Sequence, residues 1–181
     1  MFTQEEIFIA NATYRSKGSS VFDKDGNVRS SVAKFVANNI STNAKLLDFG
    51  CGPEFIQGKY LMDQGFDVDA WDFGDNKPQN CVAELQPIYD VVYASNVLNV
   101  ISSLSMLMET LDQIYKCMKD GGVFIANYPK APRKMLLSDK DLETIIQAKF
   151  NGQASKIHGI SAPMWVFTKI AQKTKRIKVG A

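Results

Sequence analysis

The segment from Lys45 to Asp72, KLLDFGCGPEFIQGKYLMDQGFDVDAWD, constrains the fold of this chain more than any other. Its first apolar run ends in Asp48 and is followed by a Gly50-Cys51-Gly52 turn. A helix that we expect to begin at Pro53 leads to a second apolar run, which ends at Asp72. Strand, glycine turn, helix, strand and acid form the plan of a nucleoside-binding βαβ unit. The glycines let a ligand approach the backbone, and the final acid is placed to accept hydrogen bonds from ribose hydroxyls.

The charge around the turn indicates which nucleoside binds. A dinucleotide site has a third glycine and a helix N-terminus free to receive pyrophosphate. Here Phe55 occupies the third glycine position, and Asp48 and Glu54 flank the turn. Each carboxylate at contact distance repels a phosphate charge by about 1 kcal/mol in water and several-fold more when partly buried. The acids therefore favour a phosphate-free ligand that carries an ammonium and a sulfonium, namely S-adenosylmethionine.

Four motifs in order resemble those of class I S-adenosylmethionine-dependent methyltransferases. They are LLDFGCG, WD one helix and one strand later, YDVVYASNVLNVI, and CMKDGGVFIANYP. With the order of the predicted elements, the resemblance implies an α/β fold. This is a three-layer αβα sandwich around a mostly parallel, doubly wound sheet of six or seven strands with an antiparallel closing strand. It also implies S-adenosyl-L-methionine as cofactor and methyl transfer as the reaction.

Hydrophobic periodicity and turn residues predict the elements of this fold. Predicted helices cover residues 2–16, 31–39, 53–64 and 138–149, and a further long helix is capped by Ser102 or Ser103 and ended by Gly121-Gly122. Predicted strands after the βαβ unit cover 89–94, 123–128, 154–158 and 164–169. Residues 72–89 are too few for a full crossover helix and another parallel strand. We therefore expect one helical turn or none there, and a vestigial third strand near Cys81 to Leu85.

The residues that the resemblance assigns to the cofactor follow three predicted strands. They are Asp48, Gly50, Cys51, Gly52, Asp72, Phe73, Ser95 and Asn96. Asp72 is expected to bind the ribose hydroxyls, and Ser95 with Asn96 to flank the methionine part. A tight turn without a ligand is the alternative for the glycines, and a satisfied polar cap is the alternative for Ser95 and Asn96.

Methyl transfer from a sulfonium needs a general base only if the acceptor holds a proton at neutral pH. The two candidates are His158, the single histidine of the chain, and Tyr14 in the N-terminal segment expected to cover the substrate. A structural histidine at a strand end and an amphipathic helix end are their respective alternatives. Asn99 stands where related enzymes often carry a histidine, which argues against a base there.

The sequence Asn127-Tyr128-Pro129-Lys130 resembles the Asn-Pro-Pro-Tyr motif of enzymes that methylate amino groups of nucleic acids. Its order differs, and it follows the fifth predicted strand rather than the fourth. A strand exit that uses proline explains it better.

Composition indicates a single domain over residues 1–181, with a helical cap at 1–40, a Rossmann-like core at 41–170 and a basic tail at 171–181. Apolar residues make up 45% and charged residues 22% of the chain, as in ordinary globular proteins. The sequence contains no apolar run of membrane-spanning length and no signal-peptide pattern, so we expect no membrane partner. Three widely spaced cysteines favour reduced thiols and a cytoplasmic location, and one histidine argues against a metal.

The methyl acceptor is the least constrained partner. The net charge is only +2, but basic residues cluster at Arg15 and Lys17 and again at Lys130, Arg133 and Lys134. These clusters favour an anionic acceptor, a nucleotide or nucleic acid, although a solvated surface explains them too. A non-catalytic module that binds cofactor or a partner chain is the alternative function. A nicotinamide-dependent oxidoreductase is disfavoured by the missing third glycine.

Overall fold

We describe the protein from a computed structural model, which covers residues 2–15, 29–158 and 162–170, with only the backbone of 13–15. The predicted loop from Lys17 to Asn27 and the basic tail at 171–181 lie outside these residues. The helices are α1 (Gln4–Arg15), α2 (Ser31–Asn39), α3 (Ile56–Asp63), α4 (Leu104–Cys117) and α5 (Asp139–Phe150). The strands are β1 (Lys45–Phe49), β2 (Asp67–Trp71), β3 (Tyr89–Ala94), β4 (Met118–Asn127), β5 (Ala154–Ile157) and β6 (Met164–Thr168).

The strands of the described residues form one six-stranded sheet in the order β2-β1-β3-β4-β6-β5. Strands β2, β1, β3 and β4 are parallel, and β6 runs antiparallel to both β4 and β5. The predicted αβα fold with an antiparallel closing strand is confirmed. Because β2 lies on one side of β1 and β3 on the other, the strand order reverses beside β1. Ligands of open α/β sheets bind at such a switch point, beyond the C-terminal ends of the strands.

Alternating side chains of the strands build two apolar layers. Leu47 and Val92 face one layer with α4 and α5, whereas Leu46 and Val91 face the other with α2 and α3. All four side chains are buried, as expected for parallel strands covered on both faces.

The start of α3 corrects the prediction that this helix begins at Pro53. The helix begins at Ile56, because the chain turns through positive φ at Gly50, Gly52 and Phe55 before it becomes helical. The buried Phe55 ring lies over Gly58, where an added Cβ would stand 1.9 Å from the ring. An aromatic side chain thus occupies the position at which a dinucleotide turn has its third glycine.

The junction of α4 and β4 corrects a second boundary. Gly121 and Gly122 were expected to end the helix, but α4 ends at Cys117 and both glycines lie inside β4. Gly121 has a φ of 79° and the pairing with β3 shifts between Tyr89 and Val91, so the glycines form an irregularity in the strand.

The segment after β2 is shortened, as predicted. A single 3-10 turn at Gly74–Asn76 replaces a crossover helix. The third strand is reduced to an isolated parallel bridge between Ala70 and Cys81, with a hydrogen bond of 2.9 Å from the Val82 N–H to the Ala70 oxygen. None of the described helices combines the length and the apolar character required to cross a membrane.

Candidate functional site

Backbone hydrogen bonds tie the glycine turn to the end of β2. The N–H groups of Gly50 and Cys51 donate to the Trp71 oxygen at 2.7 and 3.2 Å. The Gly52 N–H donates to Asp72 Oδ2 at 2.6 Å, and the Phe73 N–H donates to Asp72 Oδ1 at 2.6 Å. The two predicted cofactor segments therefore meet through the Asp72 carboxylate.

The glycine turn also packs against the exit of β3. An added Cβ at Gly50 would lie 2.4 Å from Val97 Cγ2, and the residue has a φ of 78°. Both the space and the backbone conformation require glycine at this position. The C-terminal ends of β1, β2 and β3 are thus in direct contact around the switch point.

Asp72 is a buried acid with two donors. Burial raises the pKa of its carboxyl to about 6, although the N–H groups of Phe73 and Gly52 oppose this rise. Each oxygen accepts one backbone hydrogen bond and retains acceptor capacity for a ligand hydroxyl.

Asp48 lies deeper and is less well satisfied. Its side chain is 1% exposed, and its Oδ2 atom has no hydrogen-bond partner. Burial and, to a smaller extent, the nearby charge of Asp72 raise the pKa of Asp48 to about 8. In the sheet Asp48 pairs with Tyr93, whose buried hydroxyl interacts with the Asp48 carboxyl and opposes this rise. Next to them, burial raises the pKa of the Cys51 thiol, so this residue is a neutral thiol at physiological pH.

Ser95 at the exit of β3 takes part in a hydroxyl network that the sequence did not reveal. Ser30 caps α2 by accepting from the Ala33 N–H, and its hydroxyl donates to Gln57 Oε1 at 2.7 Å. Because the single Ser30 proton is used there, Ser95 is the donor in the 3.1 Å contact between the two hydroxyls. Ser95 therefore offers only lone pairs to a ligand.

Asn96 is held by a residue that sequence analysis assigned only to a strand exit. The Asn96 N–H donates to Asn127 Oδ1 at 2.7 Å, and Asn127 Nδ2 donates to Asn96 Oδ1 at 2.9 Å. Asn127 is 5% exposed at the end of β4, whereas Asn96 is exposed and has a φ of 60°. Sequence analysis considered Asn127 only as part of the NYPK segment, and no local pattern indicated that Asn127 pairs with Asn96.

Phe73 contributes to the site differently from the prediction. Its ring packs edge-on against Phe2 at a centroid distance of 4.7 Å, and against Phe49 and Trp71 at 5.8 Å each. Asn11 of α1 contacts the Phe73 oxygen through Nδ2 at 3.4 Å. The ring thus belongs to an aromatic cluster beneath α1, and the Phe73 N–H orients Asp72.

Of the two candidate bases, His158 does not join this cluster of strand ends. His158 is exposed just after β5, three strands from β3, which corresponds to about 14 Å across the sheet. Tyr14 lies in α1, and its side chain is outside the described residues. The described residues contain no group of three or more acids, cysteines and histidines arranged to hold a metal.

Arg133 makes most of the side-chain contacts that the structure shows within the loop after β4. This β4–α5 loop (residues 128–138) wraps around the Arg133 guanidinium, which lies 3.9 Å from the Tyr128 ring centre and bonds to Asp139 at 2.7 Å. The guanidinium also donates to the backbone oxygens of Tyr128, Pro129 and Leu137. Arg133 is thus a structural residue, in contrast to the prediction that it faces an acceptor.

Asn99 joins the same loop to the exit of β3. Its Nδ2 donates to the Pro132 oxygen at 2.9 Å, and its backbone oxygen accepts from the Lys134 N–H at 3.0 Å. The side chain is 3% exposed, which supports a structural role and agrees with the absence of a base at this position.

A separate cavity of about 450 Å³ lies between the start of α3 and the segment that replaces the third strand. Its lining comprises Pro53, Glu54, Phe55, Lys59, Pro78, Gln79 and Asn80. None of the eight predicted cofactor residues lines it.

The polar groups at the switch point fit S-adenosylmethionine. Asp72 and Ser95 present acceptor lone pairs, and the buried Asp48 Oδ2 beneath the turn has no protein partner. Ribose hydroxyls and an ammonium are hydrogen-bond donors, so this set complements them. The same lone pairs would repel the negative charge of a pyrophosphate.

Comparisons with known proteins agree with this chemistry. The sequence profile of a methyltransferase domain matches residues 23–166. A TehB-like SAM-dependent methyltransferase from Corynebacterium glutamicum superposes with a TM-score of 0.58 at 15% identity, over 90% of this chain and 96% of that one. No curated protein matches the chain by sequence.

Two further structures with bound cofactor share the fold. Human N-acetylserotonin methyltransferase in complex with SAM has a TM-score of 0.53 at 14% identity, over 78% of this chain and 52% of that one. The Thermus thermophilus 16S rRNA N2 G1207 methyltransferase in complex with AdoMet and guanosine has a TM-score of 0.58 at 11% identity, over 80% of this chain and 40% of that one. At these identities the likeness is one of fold. With the sequence profile covering most of the chain, the protein belongs to the class I S-adenosylmethionine-dependent methyltransferase family, and its cofactor is S-adenosylmethionine.

Proposed function

We propose that this chain transfers a methyl group from S-adenosylmethionine to an anionic acceptor, a nucleotide or nucleic acid, at the switch point beside β1. The single observation that supports this site best is its set of hydrogen-bond acceptors at the ends of β2 and β3. Backbone N–H groups already donate to both oxygens of Asp72, and Ser95 gives its proton to Ser30. Both residues therefore keep lone pairs that can accept hydrogen bonds from a ligand.

Each predicted cofactor residue has a role in this proposal. Asp72 accepts hydrogen bonds from the ribose hydroxyls, and Phe73 orients Asp72 through its N–H. Gly50, Cys51 and Gly52 form the close backbone wall, while Ser95 and Asn96 face the methionine part. Asp48 lies beneath the turn, where a positively charged ligand above it would favour the ionised form of its carboxyl.

The chemistry follows from position more than from acid or base groups. The bound cofactor supplies a methyl group on a sulfonium, which is already activated for displacement. The chain holds the acceptor in line with that group, and correct placement alone can contribute several orders of magnitude in rate. Helix α1 contacts the end of β2 through Asn11 and Ile7, so it can limit water above the site.

A base role for His158 or Tyr14 stays a prediction. His158 is exposed beyond β5, so it would serve only an acceptor that extends across the ends of β4 and β6. If it is the base, His158→Gln lowers kcat and removes an ionisation near neutral pH from the rate profile.

The anionic acceptor is supported by Lys130 and Lys134. Both are exposed on the β4–α5 loop, beside the strand ends that carry Asn96 and Asn127. Arg133 no longer supports this idea, because its donors are used inside the loop. Arg15 and Lys17 have no described side chains. The rRNA enzyme among the structural relatives shares only the fold, so it gives no information about this acceptor.

Transfer of a radiolabelled methyl group to RNA, DNA, free nucleotides and uncharged small molecules tests the function. We expect label in an anionic acceptor. The change Lys130→Ala with Lys134→Ala should weaken the KM for that acceptor about tenfold and reduce the slope of log affinity against log salt by about two. Lys116→Ala, an exposed lysine at the far end of α4, serves as control and should change neither.

Label only in uncharged acceptors, or an unchanged salt slope in the double variant, would contradict the anionic acceptor. A non-catalytic binding module is the second candidate, and the reduction of the third strand to a single bridge favours it. Cofactor binding without product from any acceptor would support that candidate.

A further inference from the structure

The reciprocal contact between Asn96 and Asn127 connects the ends of two neighbouring strands. One amide group of Asn127 makes both bonds: its oxygen accepts from the Asn96 N–H, and its nitrogen donates to the Asn96 side-chain oxygen. The backbone N–H can only donate, so it fixes which end of the Asn127 amide faces it. The result is a closed ring of two hydrogen bonds between the β3 and β4 exits.

This ring holds a backbone conformation that is uncommon outside glycine. Asn96 has a φ of 60°, in the left-handed region that asparagine tolerates better than most residues. Asn127 is 5% exposed and anchored at the last paired residue of β4, opposite Met164. The rigid partner therefore lies in the sheet, and the exposed partner is the one that it fixes.

The fixed turn sets the neighbours of Asn96 on either side. Ser95, which precedes it, directs its proton to Ser30 and its lone pairs elsewhere. Val97, which follows it, packs where a Cβ of Gly50 would be. A change in the turn would move both the Ser95 lone pairs and the wall of the glycine turn.

We infer that Asn127 is a positioning residue for cofactor binding, which acts through its amide pair with Asn96 to hold the 95–97 turn against Gly50. This inference rests on the proposed function, because Ser95 and Asn96 must face the cofactor. Asn127 itself touches neither cofactor nor acceptor in this account.

Two isosteric changes test the pair. In Asn96→Asp the Asn127 nitrogen still has an acceptor. In Asn127→Asp the exposed Asn96 amide can turn its nitrogen towards the carboxylate. Each single variant therefore keeps two bonds. We expect Asn127→Asp to keep the cofactor Kd within about threefold of wild type, whereas Asn96→Asp also changes a side chain that faces the cofactor and measures that direct contribution. The double variant places two carboxylates face to face. The bond between the two side chains is then replaced by repulsion unless the carboxylates share a proton.

We expect the double variant to bind S-adenosylmethionine at least about tenfold more weakly than either single variant at pH 8. At pH 5.5 a shared proton should restore most of that loss. Calorimetric titration measures the Kd, and each value is divided by the wild-type value at the same pH, because Asp48 and Asp72 also titrate. If charge attraction alone controlled binding, the two added negative charges would instead lower the cofactor Kd of the double variant at pH 8, because the ligand is cationic.

The outcomes separate this inference from the proposed function. Wild type that binds no cofactor would overturn both. Wild type that binds, with a double variant whose effect is the product of the two single effects, would overturn the positioning role alone. A lower melting temperature in the double variant with unchanged cofactor Kd would also overturn it, because the pair would then be only structural.

A milder change covers the case in which the double variant does not fold. Asn127→Ser shortens the buried side chain and leaves Asn96, which faces the cofactor, unchanged. We expect the cofactor Kd to rise about fivefold, because the turn loses at least one of its two hydrogen bonds. An unchanged Kd would contradict the positioning role.

Discussion

Asp48 and Asp72 show how burial gives two acids at one turn different charges. Burial raises the pKa of Asp72 to about 6, so this carboxylate is mostly ionised at neutral pH. Burial and the Asp72 charge raise the pKa of Asp48 to about 8, so this group is largely protonated there. The sequence analysis expected a negative charge at Asp48 beside the turn, but at neutral pH the structure leaves that carboxyl largely protonated and the charge lies on Asp72, at the end of β2.

The raised pKa of Asp48 makes stability depend on pH. Between about pH 4 and pH 8 the folded chain keeps a proton that the unfolded chain releases, so the free energy of unfolding falls as pH rises. Asp48→Asn removes this titration, and its melting temperature should exceed that of wild type by more at pH 8 than at pH 5. We expect the difference to grow by at least about 3 °C, which is ~1 kcal/mol for a chain of this size.

Thermal unfolding followed by circular dichroism at both pH values measures this difference. Asp63→Asn, at the exposed end of α3, is the control and should run parallel to wild type. Parallel curves for Asp48→Asn and wild type would contradict the proposed burial cost.

Elements with strong local signals were predictable, and their boundaries were less so. The apolar spacing of α4 and its Ser103 cap sufficed to predict that helix, because both signals lie within the element. The predicted start of α3 was wrong because the true start depends on contacts outside the local sequence pattern. The Gly52 N–H donates to Asp72, and the Phe55 ring occupies the space above Gly58.

The β4–α5 loop is an element whose order depends on one side chain. Arg133 makes hydrogen bonds to three backbone oxygens and to Asp139 and stacks on Tyr128. Arg133→Lys keeps the charge but loses the planar fork, so we expect a loss of about 1–3 kcal/mol in the free energy of unfolding. Urea denaturation measures it, and Lys134→Ala in the same loop should change stability by less than about 0.5 kcal/mol. Equal effects of the two changes would contradict this account.

At the scale of the molecule, the sequence was sufficient for the order of layers and the location of the site. The βαβ unit placed Asp72 and the glycine turn together, and the short segment after Asp72 correctly implied a reduced third strand. The links between strands were not predictable, since Ser30, Gln57 and Asn127 lie far apart in sequence and no local pattern pairs them. Lys169, just before the basic tail, shows that charge is not always a surface property, because it is 8% exposed and donates to the Met118 oxygen.

Calorimetric titration of S-adenosylmethionine into wild type and Asp72→Ala tests the central claim most directly. The account predicts binding to wild type and a loss of at least about tenfold in Asp72→Ala, since hydrogen bonds from ribose hydroxyls to a charged acceptor contribute about 1.5–3 kcal/mol each. Asp72→Asn should fall between the two, and Asp63→Ala should bind as wild type does. Wild type without measurable binding, or Asp72→Ala with unchanged affinity, would contradict the account.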